Sequence, residues 1–324
     1  MRAVRVHDLN GPAGLRVDEV PTPTVSGGQV LIDVKAAGVN FPDILITQGK
    51  YQFKPNPPFS PGGEAAGVVS AVGAGVTSLK VGDRVATTLL YGGYAEQLVA
   101  PEQATVKLPD AVSFEVGAAT LLTYATTYHA LVDRAAIQKG ESLLVLGAAG
   151  GVGIAAVELG VLLGARVIAA ASSEDKLAFC KAHGASDGID YSKEDLKDRI
   201  KALTKGNGVD VIYDPVGGNL SEPALRGIAW KGRFLVVGFA AGDIPKIPLN
   251  LTLLKGCQIV GVFWGQFAMR EAATNKQHCE QIFQWVAEGK LKPAIDATLP
   301  FERAAEALDR LAKRQVKGKL VLVP

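Results

Sequence analysis

The sequence predicts an α/β protein in which a β-barrel-type domain is followed by a doubly wound parallel sheet. Residues 1 to about 110 contain short strand-like runs separated by Gly and Pro, which is typical of a small β-rich domain. From about residue 142 onward, apolar strand-like runs alternate with helical stretches, the pattern of βαβ units and a parallel sheet. A glycine-rich turn, Gly147–Gly153, joins the first of these strands to a helix.

Length and composition restrict the classes of protein that this chain can represent. A chain of 324 residues can bury a large core and is expected to form two domains. The formal charge is only +2, from 34 basic and 32 acidic residues, and no basic cluster is interleaved with aromatics. We therefore expect no nucleic-acid partner. No apolar run reaches the roughly 18 residues that span a bilayer, so no membrane association is expected.

The compartment follows from the cysteines and the amino terminus. Cys180, Cys257 and Cys279 are few, odd in number and widely spaced, which indicates a reducing compartment without disulfides or a cysteine metal cluster. Met1–His7 is an alternating strand pattern and not a signal peptide. We therefore expect a cytoplasmic protein.

The predicted elements follow one another in an order that suggests an inserted domain. In the first part, strand-like runs lie at 30–35, 65–72 and 94–99, and a tight turn lies at 81–85. A helical stretch at 113–136, in two pieces, is expected to form a hinge to the second part. Strands then alternate with helices, at about 142–147, 166–171, 209–213, 233–238 and 257–263. Helical stretches at 270–288 and 301–313 lead to a closing strand from Lys319, which we expect to return to the first domain.

The turn after the first parallel strand has the character of a phosphate-binding loop. Leu143–Leu146 is an apolar strand, and Gly147–Gly153 is too rich in glycine for bulky side chains. At the start of the following helix, backbone N–H groups and the helix dipole favour an anion, and glycines let a pyrophosphate approach closely. Ala148 stands where the first glycine of the dinucleotide fingerprint is usual, so a glycine turn of another α/β protein remains the alternative.

The end of the second parallel strand distinguishes between the two nicotinamide cofactors. An NAD site has Asp or Glu there, about 20 residues beyond the glycines, to bind the ribose 2′-hydroxyl. This chain instead has Ser172, Ser173 and Lys176 after the strand Ala165–Ala171, groups that suit a 2′-phosphate. We therefore expect NADPH. The alternative is that Ser173 is a helix N-cap and Lys176 a solvated helix residue.

Two segments of the first domain, taken with the glycine turn, point to a known family. The segments are Ala37–Asp43 (Ala-Gly-Val-Asn-Phe-Pro-Asp) and Pro61–Gly67 (Pro-Gly-Gly-Glu-Ala-Ala-Gly). With Ala148–Gly153, they resemble the zinc-independent NADPH:quinone oxidoreductases of the medium-chain dehydrogenase/reductase superfamily. The resemblance covers the whole chain and implies a GroES-like catalytic domain, 1–124 with 266–324, and a Rossmann NADPH-binding domain, 125–265.

Departures from the zinc alcohol dehydrogenases of the same superfamily argue against a metal. Those relatives have a Cys ligand where this chain has Asn40, and a His ligand where it has Gly63. Zinc needs thiolate, imidazole or carboxylate ligands in close geometry. We therefore expect no metal, and substrate polarisation through hydrogen bonds.

The resemblance implies hydride transfer from NADPH to a quinone or to the β-carbon of an α,β-unsaturated carbonyl. It places Asn40, Asp43 and Tyr51 beside the substrate, with Tyr51 as proton donor or enolate stabiliser. The alternatives are a barrel-surface position for Tyr51, and hydrogen bonding to the loop backbone for Asn40 and Asp43. Competing functions are an enoyl thioester reductase, or an NADPH-binding sensor or structural or RNA-binding protein.

In the phosphate-binding turn, the residues expected to contact the cofactor are Ala149, Gly150, Gly151, Val152 and Gly153. The resemblance also assigns cofactor contacts outside this turn. Thr126 matches a threonine at the nicotinamide ribose or carboxamide, and Tyr191 a tyrosine near the adenosine phosphate. Gly238 with Phe239, and Phe263 with Trp264, are expected at strand ends in the cofactor crevice. The alternative for Phe263 and Trp264 is a core or dimer position. A homodimer is implied through the strand 258–262.

Overall fold

The computed structural model describes all residues from Met1 to Pro324. By its internal contacts the chain divides into two compact units, Met1–Ala125 with Phe267–Pro324, and Thr126–Gln266. The second unit is thus inserted in the sequence of the first. No helix is both long and apolar enough to cross a lipid bilayer.

Strands and α-helices, numbered separately, follow one another along the chain. Up to residue 125 they are β1 (Arg2–Val6), β2 (Leu15–Glu19), β3 (Gln29–Val39), α1 (Phe41–Thr47), β4 (Glu64–Val72), β5 (Arg84–Thr88), β6 (Gln97–Pro101), β7 (Thr105–Lys107) and α2 (Phe114–Thr120). Then come α3 (Thr126–Tyr128), β8 (Ser142–Leu146), α4 (Gly151–Leu162), β9 (Arg166–Ala171), α5 (Glu174–Ala182), β10 (Asp187–Asp190), α6 (Leu196–Leu203), β11 (Val209–Asp214), α7 (Ser221–Arg226), β12 (Ile228–Val236), α8 (Asn250–Lys255) and β13 (Gln258–Gly261). The last are α9 (Trp264–Arg270), α10 (Ala272–Ala287), β14 (Ile295–Pro300), α11 (Ala304–Ala312) and β15 (Lys319–Val323).

The first unit is built around a seven-stranded sheet. Its strand order is β14-β15-β3-β4-β5-β7, and β6 pairs with β3, while β1 and β2 form a separate hairpin-like pair. The closing strand β15 pairs antiparallel with β3, Leu320 opposite Val39 and Leu322 opposite Ala37. Alternate residues of β3, such as Val30, Ile32 and Val34, are buried in one apolar core. The return of the carboxyl-terminal strand fixes the end of β3, where the segment Ala37–Asp43 begins.

The second unit is a six-stranded sheet with the doubly wound order. The strand order β10-β9-β8-β11-β12-β13 corresponds to 3-2-1-4-5-6 within this unit, and every neighbouring pair is parallel. Strand order therefore reverses between β8 and β11, and in such sheets ligands bind beyond the carboxyl ends of the strands at that reversal. The predicted fold class, an α/β protein with a parallel Rossmann-type sheet, is confirmed.

The structure differs from the predicted elements in the connecting regions. The first half contains a helix that the sequence did not suggest, α1, which begins directly after Asn40. The stretch 113–136 is not two separate helices, because α-helical and π-helical turns follow one another from Phe114 to Arg134. The short strand β10 was also missed, since its four residues Asp-Gly-Ile-Asp lack an apolar run.

Two predicted strands end earlier than expected. β12 ends at Val236, because the N–H groups of Val237 and Gly238 both turn to the Asp214 carbonyl oxygen. β13 ends at Gly261, and Trp264 begins the next helix. Gly238 and Phe239, like Phe263 and Trp264, therefore lie beyond the strand ends and not in the last strand positions.

Candidate active site and cofactor site

The glycine turn leaves the amino terminus of α4 open. Gly147 follows β8 with a positive φ of +59°, and Gly150 lies in an extended conformation just before the helix. No side chain caps this helix end, so its first N–H groups are available to an anion. A Cβ on Gly153 would lie 2.3 Å from the Gly147 carbonyl oxygen, so glycine is needed for the helix to pack this closely on the turn. The turn therefore fits a pyrophosphate.

A buried aspartate supports the loop on the other side of the strand-order reversal. Asp214, the last residue of β11, is 3% exposed. Its Oδ1 accepts hydrogen bonds from the N–H groups of Val216 and Gly217, both at 2.8 Å, and its Oδ2 accepts from the Ser221 hydroxyl at 2.6 Å. The loop approaches the glycine turn, because a Cβ on Gly147 would meet Val216 Cγ2 at 2.8 Å. Asp214 therefore holds the loop that follows β11 next to the glycine turn. In the sequence, its only indication is a charged residue at the end of a predicted strand.

The end of β9 presents hydroxyl and ammonium groups and no carboxylate. Ala171 ends the strand, and Lys176 Nζ donates to Ser172 Oγ at 3.3 Å. Ser173 is the N-cap of α5, since its Oγ accepts from the Lys176 N–H at 3.4 Å, as the N-cap alternative expected. The nearby acidic Glu174 is paired with Lys193 at 2.8 Å, which offsets its repulsion of a phosphate. The sequence reasoning had not assigned this role to Lys193.

The remaining predicted cofactor residues all lie within the second unit. Thr126 is half-buried, and its neighbour Thr127 contacts the start of α4 through Val152 O at 3.4 Å and the hydroxyl of Tyr213 at 2.9 Å. Tyr191 follows β10, and its N–H donates to Ala171 O at the end of β9. Phe239 lies against Gly217, and Phe263 is exposed, which excludes a core position in this chain. Their contacts with a cofactor stay predictions.

In the first unit, Asn40 and Asp43 form one buried hydrogen-bonded turn. The Asn40 N–H donates to Asp43 Oδ2 at 2.8 Å, and the Tyr94 hydroxyl donates to the same oxygen at 2.8 Å. Burial raises the pKa of Asp43 to about 6, against the lowering effects of the Tyr94 and Asn40 hydrogen bonds and of the Lys319 charge. The observed hydrogen bonds are those of the loop-bonding alternative. Contact of either side chain with substrate stays a prediction.

A buried ion pair, which the sequence analysis did not anticipate, completes this cluster. Glu64 is fully buried and Lys319 is nearly so, with Lys319 Nζ 3.2 Å from Glu64 Oε2. The other oxygen, Glu64 Oε1, accepts from the Leu122 N–H at 2.9 Å. Asn40 Nδ2 donates to Glu64 Oε2 at 3.1 Å and to Gly38 O at 3.3 Å. In the sequence, the indication of this pair is one charged residue in each of two mostly apolar strands, β4 and β15.

Tyr51 is half-buried at the edge of an aromatic surface. It packs on a small core of Val6, Ile46 and Phe59. Phe59 meets Tyr91 edge-on at 5.9 Å between ring centroids, and Tyr91 stacks on the exposed Phe53 at 5.6 Å. Burial, and then the negative charge of Asp43, raise the pKa of Tyr51 above its ordinary value of 10.0. The phenol therefore stays protonated at neutral pH and can donate a hydrogen bond.

The residues at this site do not fit a zinc ion. No group of three or more His, Cys, Asp or Glu side chains is arranged to hold a metal. The Asn40 amide is occupied by Gly38, Glu64 and Lys319, Gly63 offers no side chain, and the carboxylate of Glu64 is paired with Lys319. Zinc sites in proteins use three or four thiolate, imidazole or carboxylate ligands.

Comparisons with known proteins agree with this architecture. The model "Alcohol dehydrogenase GroES-like domain" matches residues 26–110, and "Zinc-binding dehydrogenase" matches residues 151–286. The quinone oxidoreductase-like protein 2 homolog of Nematostella vectensis is 40% identical over 99% of this chain and 88% of its own length. Human quinone oxidoreductase is 35% identical over 100% of this chain and 98% of its own. The crystal structure of Escherichia coli quinone oxidoreductase complexed with NADPH superposes with a TM-score of 0.94 at 30% identity, covering all of both chains.

The fold and these matches define the class of protein as a medium-chain dehydrogenase/reductase, with a GroES-like domain and a Rossmann-type sheet. The relatives named quinone oxidoreductase or quinone oxidoreductase-like are 35% to 40% identical over nearly the whole chain. The chain belongs to the quinone oxidoreductase family.

Proposed function

We propose that this protein is an NADPH-dependent reductase that transfers hydride to quinones or to α,β-unsaturated carbonyls. The observation that carries the cofactor assignment is the end of β9, where Ser172 and Lys176 replace the acidic residue that would bind a ribose 2′-hydroxyl. The Escherichia coli relative with the same fold was crystallised with NADPH, which supports the assignment.

The residues of the second unit would hold the cofactor by its phosphates. The open N–H groups at the start of α4 suit the pyrophosphate, while Ser172, Ser173 and Lys176 suit the 2′-phosphate. Thr126, Tyr191, Gly238, Phe239, Phe263 and Trp264 are proposed to contact the rest of the cofactor. When bound, NADPH supplies the hydride; the protein supplies orientation and exclusion of water.

The residues of the first unit would bind and protonate the acceptor. Hydride addition places negative charge on the acceptor oxygen, and a protonated phenol stabilises such charge by donating a hydrogen bond. Tyr51 is the proposed donor, and its proton is replaced from water after turnover. Asn40 and Asp43 are proposed to lie beside the acceptor, with their polar groups held in place by the buried hydrogen-bond network.

We further propose that residues 1–124 with 266–324 bind the acceptor and residues 125–265 bind NADPH, and that the protein is a homodimer. The edge strand β13 ends the parallel sheet, and unpaired edges favour pairing with another strand. Large apolar side chains are exposed on and beside it: Trp230, Leu249, Leu253, Leu254 and Ile259. A second copy would cover this surface.

Three free cysteines fit a reducing, cytoplasmic setting.

The test of the activity is loss of NADPH absorbance with purified protein and three acceptor panels: small quinones, enones and enoyl-CoA thioesters. We expect turnover with quinones or enones. Turnover restricted to enoyl-CoA would favour the enoyl thioester alternative, and no turnover with any acceptor would contradict the proposal. Salt-sensitive retention of RNA without catalysis would favour a binding role instead.

A further inference from the structure

The last strand places a lysine ammonium inside the first unit, next to the turn that begins α1. Lys319 Nζ donates to three oxygens, Val39 O at 3.0 Å, Glu64 Oε2 at 3.2 Å and Asn40 Oδ1. A lysine ammonium has three N–H donors, so every one of them is used. The three hydrogen bonds therefore hold the side chain in one place.

This arrangement is not explained by stability alone. Removing a carboxylate and an ammonium from water has a large desolvation cost, and well-packed apolar residues often stabilise a core as well or better. The Glu64–Lys319 pair lies in strands whose other buried residues are apolar, such as Ala65 and Val321. The pair has a further property: it is connected, bond by bond, to the candidate catalytic turn.

The connection passes through Asn40. Its side-chain oxygen accepts from Lys319, its side-chain nitrogen donates to Glu64, and its main-chain N–H donates to Asp43 Oδ2. Asp43 receives a second hydrogen bond from the Tyr94 hydroxyl. The remaining oxygen, Asp43 Oδ1, faces Gly63, at 3.9 Å from where a Cβ on that glycine would lie.

From this geometry we infer that Lys319 is a positioning residue of the active site: its buried ammonium binds Asn40 and Glu64 and so holds the Asp43 carboxylate in place at the start of α1. The inference rests on the proposed reductase function. The charged and titratable groups that face Asp43 are Lys319, Glu64, Tyr94 and Tyr51. Of these, Lys319 is the cation, and its charge lowers the pKa of Asp43.

The experiment compares Lys319→Met, Lys319→Arg and the double variant Lys319→Met/Glu64→Gln. The double variant leaves neither member of the Glu64–Lys319 ion pair charged without its partner, and so keeps the fold testable if the single variant unfolds. The matched control is Lys313→Met, which removes a surface ammonium paired with Asp309. We expect kcat with a quinone to fall roughly tenfold to a hundredfold in the folded Met variants, because small misplacements of catalytic groups have effects of that size. Affinity for NADPH should stay within about twofold, and Lys319→Arg should recover part of kcat since the positive charge remains.

A second measurement does not depend on activity. Carbon-13 NMR of carboxyl-labelled aspartate follows the titration of Asp43 in the protein without cofactor, with Asp43→Asn to assign the signal. In Lys319→Met the pKa of Asp43 should rise, since the lowering effect of the ammonium is lost. Wild-type kcat in folded Lys319→Met, or in the double variant if the single variant unfolds, would overturn the inference. An unshifted Asp43 titration in folded Lys319→Met would overturn it as well; the double variant is not used for this titration, because the Glu64 charge that it also removes raises the pKa of Asp43. If the wild-type protein turned over no acceptor, the proposed function would fail, and the Asp43 titration alone would decide the role of Lys319.

Discussion

Removing the groups at the end of β9 should change the choice between the two cofactors. Lys176 Nζ and Ser172 Oγ lie 3.3 Å apart and are both half-buried, close enough to bind one phosphate together. A hydrogen bond to a charged group contributes about 1.5–3 kcal/mol. Since about 1.4 kcal/mol is a factor of ten, Lys176→Ala should weaken NADPH binding about ten- to a hundredfold.

The variant Lys176→Ala/Ser172→Ala should lose the hydroxyl contribution as well, about 1 kcal/mol more. Binding of NADH should change little in both variants, since NADH lacks the 2′-phosphate. Ser173→Ala would remove the N-cap of α5 together with a proposed phosphate contact, so it does not isolate the contribution of the phosphate contact. The assay is kcat/KM for each cofactor at saturating quinone, with exposed Lys181→Ala of the same helix as control. An unchanged NADPH/NADH ratio would refute the phosphate assignment.

Four other substitutions and titrations probe the remaining parts of the site and the proposed interface. Tyr51→Phe should lower turnover of enones more than of quinones, by about a hundredfold, because only the enolate needs a directed proton; equal losses on both acceptors would reduce Tyr51 to a packing role. The pKa of Asp43 is raised from 3.8 to about 6, so the folded state binds the proton more tightly than the unfolded state. The free energy of unfolding of the wild-type protein should therefore fall by up to about 3 kcal/mol as the pH rises from about 4 to about 6. Urea unfolding of Asp43→Asn over the same pH range should lack this fall. Asp214→Ala should lower the free energy of unfolding by about 1–3 kcal/mol for the donors left unpaired, whereas Asp214→Asn should lower it less, as seen in the same urea experiment. Ile259→Glu on β13 should convert the proposed dimer to a monomer in light scattering, and an unaltered mass would place the interface elsewhere.

The sequence was most informative where one pattern determines local structure. The alternation of strands and helices predicts the parallel sheet, and the apolar run Leu143–Leu146 before the glycine turn locates β8 and the start of α4. The acid-free end of β9 could also be predicted, since it depends only on which residues follow Ala171.

The buried polar cluster could not be predicted in this way, because it joins positions far apart in the chain. Lys319 meets Asn40 across 279 residues and Glu64 across 255, through the pairing of β15 with β3 and of β3 with β4. The same is true of Tyr94 and Asp43, which are 51 residues apart. Sequence patterns show which residue types are available, while sheet register decides which of them meet. That is why Asn40 and Asp43 were selected as a pair of interest but without their partners.

The crevice beyond β9 is expected above all to prefer a cofactor with a 2′-phosphate. The most direct measurement is calorimetric titration of the purified wild-type protein with NADPH and with NADH at the same ionic strength. The preference of Ser172 and Lys176 for phosphate predicts a dissociation constant for NADPH at least about tenfold lower than that for NADH. Equal affinities, or tighter binding of NADH, would contradict it.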